Sequence, residues 1–132
     1  NVDFKTDESY LKGKVIGAQR ATIAGTWLED NLDRVVDIKL YDTQENAYLD
    51  LASGRVDGIL ADTFVQWEWL KSDAGKNFEF KGEPVFDDDK IAIAVRKGND
   101  ELRERLNKAL AEIIADGTYK QINDKYFPFS IY

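Results

Sequence analysis

The chain has 132 residues, 18 Lys and Arg against 25 Asp and Glu for a formal net charge of −7, 43% hydrophobic residues, and neither Cys nor His. That length suits one domain, or one domain and part of another, and it can bury roughly 68–70% of its unfolded surface, so a core forms without staples. Lack of Cys and His excludes disulfides, thiolate nucleophiles, zinc fingers and Ser-His-Asp triads, and the negative charge argues against nucleic acid and anionic lipid as partners. No apolar run approaches the roughly 20 residues that span a bilayer, and Asn1-Val2-Asp3-Phe4-Lys5-Thr6 has no signal-peptide core. A soluble chain is expected, and its start without Met suggests a processed or excised piece.

The first apolar run, Lys14-Val15-Ile16-Gly17-Ala18, is short and β-branched and reads as a buried strand. Thr22 is a good N-cap for a following helix whose apolar residues, Ile23, Trp27, Leu28 and Leu32, recur at helical spacing until Asp33. Residues 36–41 alternate apolar and polar, predicting a half-exposed strand. Thr43 caps a second helix with Ala47, Tyr48, Leu51 and Ala52 on one face and Gly54 at its C′ position. A third strand is expected over 56–61, and Asp62-Thr63 opens a third helix through Phe64, Val65, Trp67 and Leu70. This βαβαβα order predicts an α/β fold: a parallel-rich sheet with right-handed crossovers, flanked by helices.

Beyond Ser72 the texture changes. Phe78-Glu79-Phe80 is expected as a short edge strand, and residues 85–90, with Asp87-Asp88-Asp89, as a connector. Ile91-Ala92-Ile93-Ala94-Val95 reads as another buried strand. Asn99 then caps a helix with the stripe Leu102, Leu106, Ala109, Leu110, Ile113 and Ile114, ended by Gly117. Thr118 is expected to cap a last helix carrying Tyr119, Ile122 and Tyr126, stopped by Pro128.

In an open parallel sheet, ligands bind beyond the carboxyl ends of strands. With strands 1 and 3 as neighbours, Gln19-Arg20-Ala21-Thr22 and Ala61-Asp62-Thr63 face one crevice. Thr22 offers a hydroxyl and the free N–H groups of a helix N-terminus, a seat for an anion, and Asp62 offers a fixed negative charge beside it. Together they suit the carboxylate and ammonium of a free amino acid; the alternative is that both are ordinary helix caps. Phosphate-loop and dinucleotide motifs are absent among the nine glycines, so no cofactor is expected. The Asp87-Asp88-Asp89 run lacks the spacing of a calcium loop and reads as solvated, and Trp27, Trp67 and Trp69 read as packing residues, leaving no metal or catalytic residue to name.

Four segments in order, Leu11-Lys12-Gly13-Lys14-Val15-Ile16-Gly17, Arg20-Ala21-Thr22, the run from Tyr48 through Asp50 and Arg55 to Gly58, and the closing stretch from Leu106 to Phe127, resemble the polar amino-acid solute-binding proteins of bacterial ABC transporters, in the lysine/arginine/ornithine and histidine branch. The resemblance implies a two-lobed periplasmic-binding-protein fold. Residues 1–10 would be the first hinge, 11–84 the inserted ligand-binding lobe, 85–90 the return hinge, and 91–132 the last strand and helices of the first lobe. The N-terminal part of that first lobe, with the arginine that clamps the carboxylate and the aromatic that stacks on the ligand, has no counterpart here. The resemblance implies that Thr22 binds the ligand carboxylate and Asp62 the α-ammonium, with Gln19, Arg20, Ala21 and Ile23 around them. Ala21 stands where glycine is usual, Ile23 where a second hydroxyl often stands, and Arg20 where Gln is usual.

The expected function is therefore the substrate-binding component of an amino-acid importer, binding a polar, basic amino acid without catalysis. Its partners would be the free amino acid and a membrane permease, and its location the periplasm or, tethered, the outside of a Gram-positive cell. The competing functions are a cyclohexadienyl-dehydratase-like lyase on the same scaffold and the ligand-binding half of a sensor. Because an unpaired apolar strand over 91–95 is an aggregation edge, the chain is expected either to dimerise by exchanging its C-terminal segment or to be part of a longer protein.

Overall fold

The computed structural model describes residues 8–85 and 91–131, and the chain divides into two compact units, Asn1–Asp87 and Asp88–Tyr132. In the first unit the elements run α1 (Glu8–Leu11), β1 (Val15–Gln19), α2 (Ile23–Leu32), β2 (Asp37–Tyr41), α3 (Gln44–Ala52), β3 (Gly58–Ile59) and α4 (Thr63–Leu70). The strands form one parallel sheet in the order β2-β1-β3. Ile16 pairs with both Ile38 and Gly58, and Gly17 with both Lys39 and Ile59.

Alternation along β1 decides what each face of the sheet meets. Ile16 and Ala18 point one way and are buried with Leu11, Leu28, Leu32 and Val36, so α1 and α2 cover that face. Gly17 and Gln19 point the other way, in register with Lys39 and Tyr41. A Cβ at Gly17 would stand 3.0 Å from the Tyr41 ring, so the glycine lets that ring lie across the central strand.

Asp50, buried on α3, meets this second face. Its carboxylate accepts hydrogen bonds from Lys39 Nζ at 2.5 Å, the Tyr41 hydroxyl at 2.6 Å and Arg55 Nε at 2.6 Å. Arg55 first, then Lys39 and Tyr41, hold the Asp50 carboxyl far below the ordinary carboxylate range. Asp57 does the same for β1, accepting from the Val15 N–H at 2.9 Å and pairing with Lys14 at 3.4 Å, and the Val15 bond leads in lowering its pKa.

Several expectations are corrected. The stretch 56–61 contributes only Gly58–Ile59 to the sheet, because the chain makes ladder bonds only from Asp57 N–H to Leu60 N–H. Phe78-Glu79-Phe80 forms no strand. Leu51 is only half-buried and Ala52 exposed, the buried positions of α3 being Gln44, Ala47, Tyr48 and Asp50. No residue of α4 is buried, and Val65 is exposed. The expected hinges are untested: residues 8–10 lie in α1, and residues 1–7 and 86–90, with Asp87-Asp88-Asp89, lie outside the described residues.

In the second unit α5 (Asp100–Ala115) and α6 (Thr118–Tyr126) pack as a pair. Asn99 caps α5 through Leu102 N–H, and its stripe is half-buried at best, with Leu102 exposed. Thr118 is not a cap: Gly117, at φ +83°, occupies that position, and the Asp116 carboxylate accepts from the Thr118 N–H at 2.8 Å. Residues 91–95 are not a strand either. A strand exists only through pairing, no described residue pairs with this segment, and Ile91 and Ile93 are exposed. Among the described residues no helix is long and apolar enough to cross a membrane.

The low pKa of Asp50 has a definite sign. A carboxyl depressed in the folded state contributes stability that is present above its unfolded pKa, about 3.9, and lost as pH falls through the folded value. Urea titrations at a series of pH values should show stability falling below about pH 4, with a shallower fall in Asp50→Asn, whose unfolding takes up nearly one proton fewer. Equal slopes for the two proteins would contradict the clasp. Leu28→Ala, at a fully buried position, should cost about 2–5 kcal/mol in the same assay.

Candidate functional site

Because β1 and β3 are parallel neighbours, the loops that leave them emerge at the same end of the sheet. After β1 the Arg20 N–H donates to the Tyr41 carbonyl at 2.7 Å, which fastens the loop to β2. Ala21 then turns the chain with φ +58°, the left-handed region that costs a residue with a Cβ about 1–2 kcal/mol. Thr22 returns to extended backbone and caps α2.

The Thr22 hydroxyl is fully engaged. It donates to the Gln19 carbonyl at 2.7 Å and accepts from the Gly25 N–H at 3.2 Å. Its one proton is therefore committed inside the loop, and the groups left to receive an anion are the N–H groups of Ile23 and Ala24, the first of the helix. Gly25 makes this packing possible, since a Cβ there would lie 2.9 Å from the Gln19 carbonyl oxygen. Sequence reasoning missed Gly25. The available signal was a glycine in a helix interior, which costs about 1 kcal/mol and calls for a reason.

At the start of α4 the arrangement is the opposite. One oxygen of the Asp62 carboxylate, Oδ1, accepts from Phe64 N–H at 2.8 Å and from Val65 N–H at 3.1 Å. This helix end is thus filled by its own negative charge, and Asp62 remains exposed. The Asp62 cap leaves Oδ2 to accept from a cation. The cap reading of Thr22 and Asp62 therefore holds for both, and it is compatible with a ligand because each cap leaves a group of the required charge unused.

Arg20 and Gln19 turn elsewhere. Arg20 Nε pairs with Asp42 at 3.2 Å, its guanidinium also donates to the Leu40 carbonyl at 3.3 Å, and Gln19 Nε2 donates to the Asp42 carbonyl at 3.4 Å. Asp42 follows β2, on the opposite flank of β1 from β3, so the expected set divides: Ala21, Thr22 and Ile23 accompany the α2 end, while Gln19 and Arg20 are tied to the β2 side. Ile23 stands at the first position of α2 with 60% of its surface exposed. Two of the Trp residues pack: Trp27 lies against the core and Trp69 stacks on Tyr48 with ring centroids 4.2 Å apart, while Trp67 is half-buried with Lys71 Nζ 5.9 Å from its ring centroid. A concavity in the second unit, lined by Ile114, Tyr119, Asn123 and Phe129 among others, includes none of these residues. Among the described residues no cluster of acidic groups could hold a metal ion.

Residues 8–129 match the family of bacterial extracellular solute-binding proteins, family 3. The chain belongs to this family. It is 42% identical over 120 residues to "ABC transporter arginine-binding protein 1" of Escherichia coli (strain K12), an alignment covering 89% of this chain and 49% of that protein. It is 37% identical over 139 residues to "Histidine-binding periplasmic protein" of Salmonella typhimurium, covering 100% of this chain and 53% of that protein. "An ancestral arginine-binding protein bound to arginine" superposes with a TM-score of 0.74 at 38% identity, over 96% of this chain and 56% of that structure. The chain thus spans about half the length of the curated relatives it matches.

A backbone in the left-handed region at position 21 suits glycine better than alanine. Ala21→Gly should stabilise the chain by about 0.5–1 kcal/mol, the relief of strain less the added freedom of the unfolded chain. A denaturation midpoint that falls on this substitution would show that the left-handed turn is not present in solution.

Proposed function

We propose that this chain is the ligand-binding half of an amino-acid receptor serving an ABC importer, a binder and not a catalyst. The observation that carries the reading is the contrast between two helix N-termini at one end of the sheet. The α2 end offers unused N–H groups at Ile23 and Ala24, and the α4 end offers the Asp62 carboxylate. A zwitterion placed between them would set its carboxylate against α2 and its ammonium against Asp62. The relatives' names, arginine-binding and histidine-binding, support a polar ligand with a basic side chain.

On this reading residues 11–84 are the inserted lobe, residues 1–10 and 85–90 the hinges, and 91–132 a part of the other lobe. A membrane permease would take up the loaded receptor, and the receptor would work in the periplasm or tethered outside the cell. The exposed Arg20–Asp42 pair holds the Arg20 charge toward β2. A lyase reading has no support of comparable kind.

The test uses Asp62→Asn in the complete receptor. Asn is as good an N-cap as Asp, so the fold is retained while the charge is lost. Affinity for amino acids should fall by about 1.5–3 kcal/mol, roughly 10- to 150-fold, and affinity for their deaminated analogues should change little. Equal losses for both ligand classes in calorimetry would reduce Asp62 to a cap.

A further inference from the structure

Asp62 is aimed by its own helix. Its Oδ1 accepts from the Phe64 and Val65 N–H groups of α4, so the direction in which Oδ2 points follows the axis of that helix. No residue of α4 is buried, in contrast to α2, which packs Leu28 and Leu32 into the core. The helix leaves a strand of two residues, Gly58–Ile59; the Leu60 N–H donates to the Gly17 carbonyl at 2.9 Å, and the Gln66 amide returns to the Ala61 carbonyl at 3.1 Å. These bonds fix where α4 begins. They do not fix its tilt.

The far end of the helix carries a contact that does. Trp69 lies flat on Tyr48, 4.2 Å between ring centroids and 3° from parallel, and Tyr48 is buried on α3, the helix that Asp50 clasps to β2. The chain beyond α4 returns to the same tryptophan. The Ser72 N–H and hydroxyl both donate to the Trp69 carbonyl, at 2.9 and 2.6 Å, and Gly75 is buried where a Cβ would run into that carbonyl. The Phe78 N–H donates to the Gly75 carbonyl at 2.9 Å, and the Phe78 ring packs on Trp69 at 5.3 Å. Stacked rings hold orientation as well as area, because the contact is lost as their planes tilt apart. The Asp62 charge also reaches the Tyr48 phenol, so the stack and the cap share one neighbourhood.

We propose that Trp69 is a positioning residue for ligand binding: by stacking on Tyr48 it sets the tilt of α4, and so aims the Asp62 carboxylate at the ammonium of an amino acid. The proposal rests on the amino-acid reading above and adds to it a residue that acts through Asp62. Charge-assisted hydrogen bonds weaken steeply with misalignment, so a helix free to rock would keep its cap and lose the ligand's ammonium.

Calorimetry on the complete receptor tests this, with L-arginine and the analogue of L-arginine that lacks the α-amino group as probes. Trp69→Leu keeps an apolar side chain but cannot stack. It should weaken binding of L-arginine about three- to tenfold and leave the analogue within about twofold, and Trp69→Phe, which restores an aromatic face, should recover most of the loss. In an Asp62→Asn background Trp69→Leu should cost nothing further, since the two changes act on one contact. If the Leu variant does not fold, Phe78→Leu loosens the same cluster, and the same pattern with a smaller loss is expected. Equal losses for both probes, or a loss that persists in the Asp62→Asn background, would leave Trp69 a packing residue and overturn the proposal. A wild-type receptor that binds both probes equally well would instead remove the ammonium role of Asp62, and with it the reading on which the proposal stands.

Discussion

The first unit depends on one buried carboxylate. Asp50 sits on the third helix, yet it bonds Lys39 and Tyr41 of an edge strand and Arg55 of the turn that leads back to the sheet. A carboxylate has about four acceptor sites, and here three donors from two segments, β2 and the turn after α3, use three of them. Removing a buried charge from water is costly unless it is fully paired, so a slipped register of β2 would separate Asp50 from both strand donors at once. The clasp thus selects one alignment of helix against sheet. Asp57, held by the Val15 N–H, fixes the other edge of the same strand set.

That alignment carries through to the rim. Tyr41 contributes its hydroxyl to the clasp and its carbonyl to the Arg20 N–H. Its ring occupies the space that a side chain at Gly17 would need. The loop between β1 and α2 is therefore anchored to the same residue that Asp50 anchors, and the placement of Thr22 follows from a charge network beneath it. On the other face Leu28 and Leu32 pack onto Ile16 and Ala18 and hold α2 at the height where Gly25 meets the Gln19 carbonyl.

What could be read from the sequence was local. Thr22, Thr43, Asp62 and Asn99 each cap the helix they precede, because a side-chain oxygen reaching an N–H two or three residues on depends on nothing distant. Gly54 takes φ +70° for the same reason. The parallel order followed from strands and helices alternating. What was not legible depends on partners. Ile91-Ala92-Ile93-Ala94-Val95 has every property of a strand except a described neighbour, and the burial of Asp50 in place of Ala52 becomes visible only when Lys39, Tyr41 and Arg55 converge. At residues 116–118 two local signals competed, and a glycine able to take φ +83°, beside an Asp whose carboxylate accepts from the Thr118 N–H, displaced the threonine.

The two duties proposed for Thr22 and Asp62, capping and ligand binding, are reconciled when each hydrogen bond is assigned. Had the Thr22 hydroxyl been needed for an incoming anion, binding would have to break its 2.7 Å bond to Gln19 and loosen the cap on Gly25, so that a hydrogen bond to the ligand would replace one of similar strength within the loop. Backbone N–H groups at the first helix position carry no such conflict, since no residue of their own helix can accept from them. Asp62 satisfies α4 through a single oxygen, and its second oxygen adds the charge a cation needs without uncapping the helix. On the proposed reading both groups are held by cap hydrogen bonds that folding itself supplies, which is the condition under which a few polar contacts suffice for tight and selective binding.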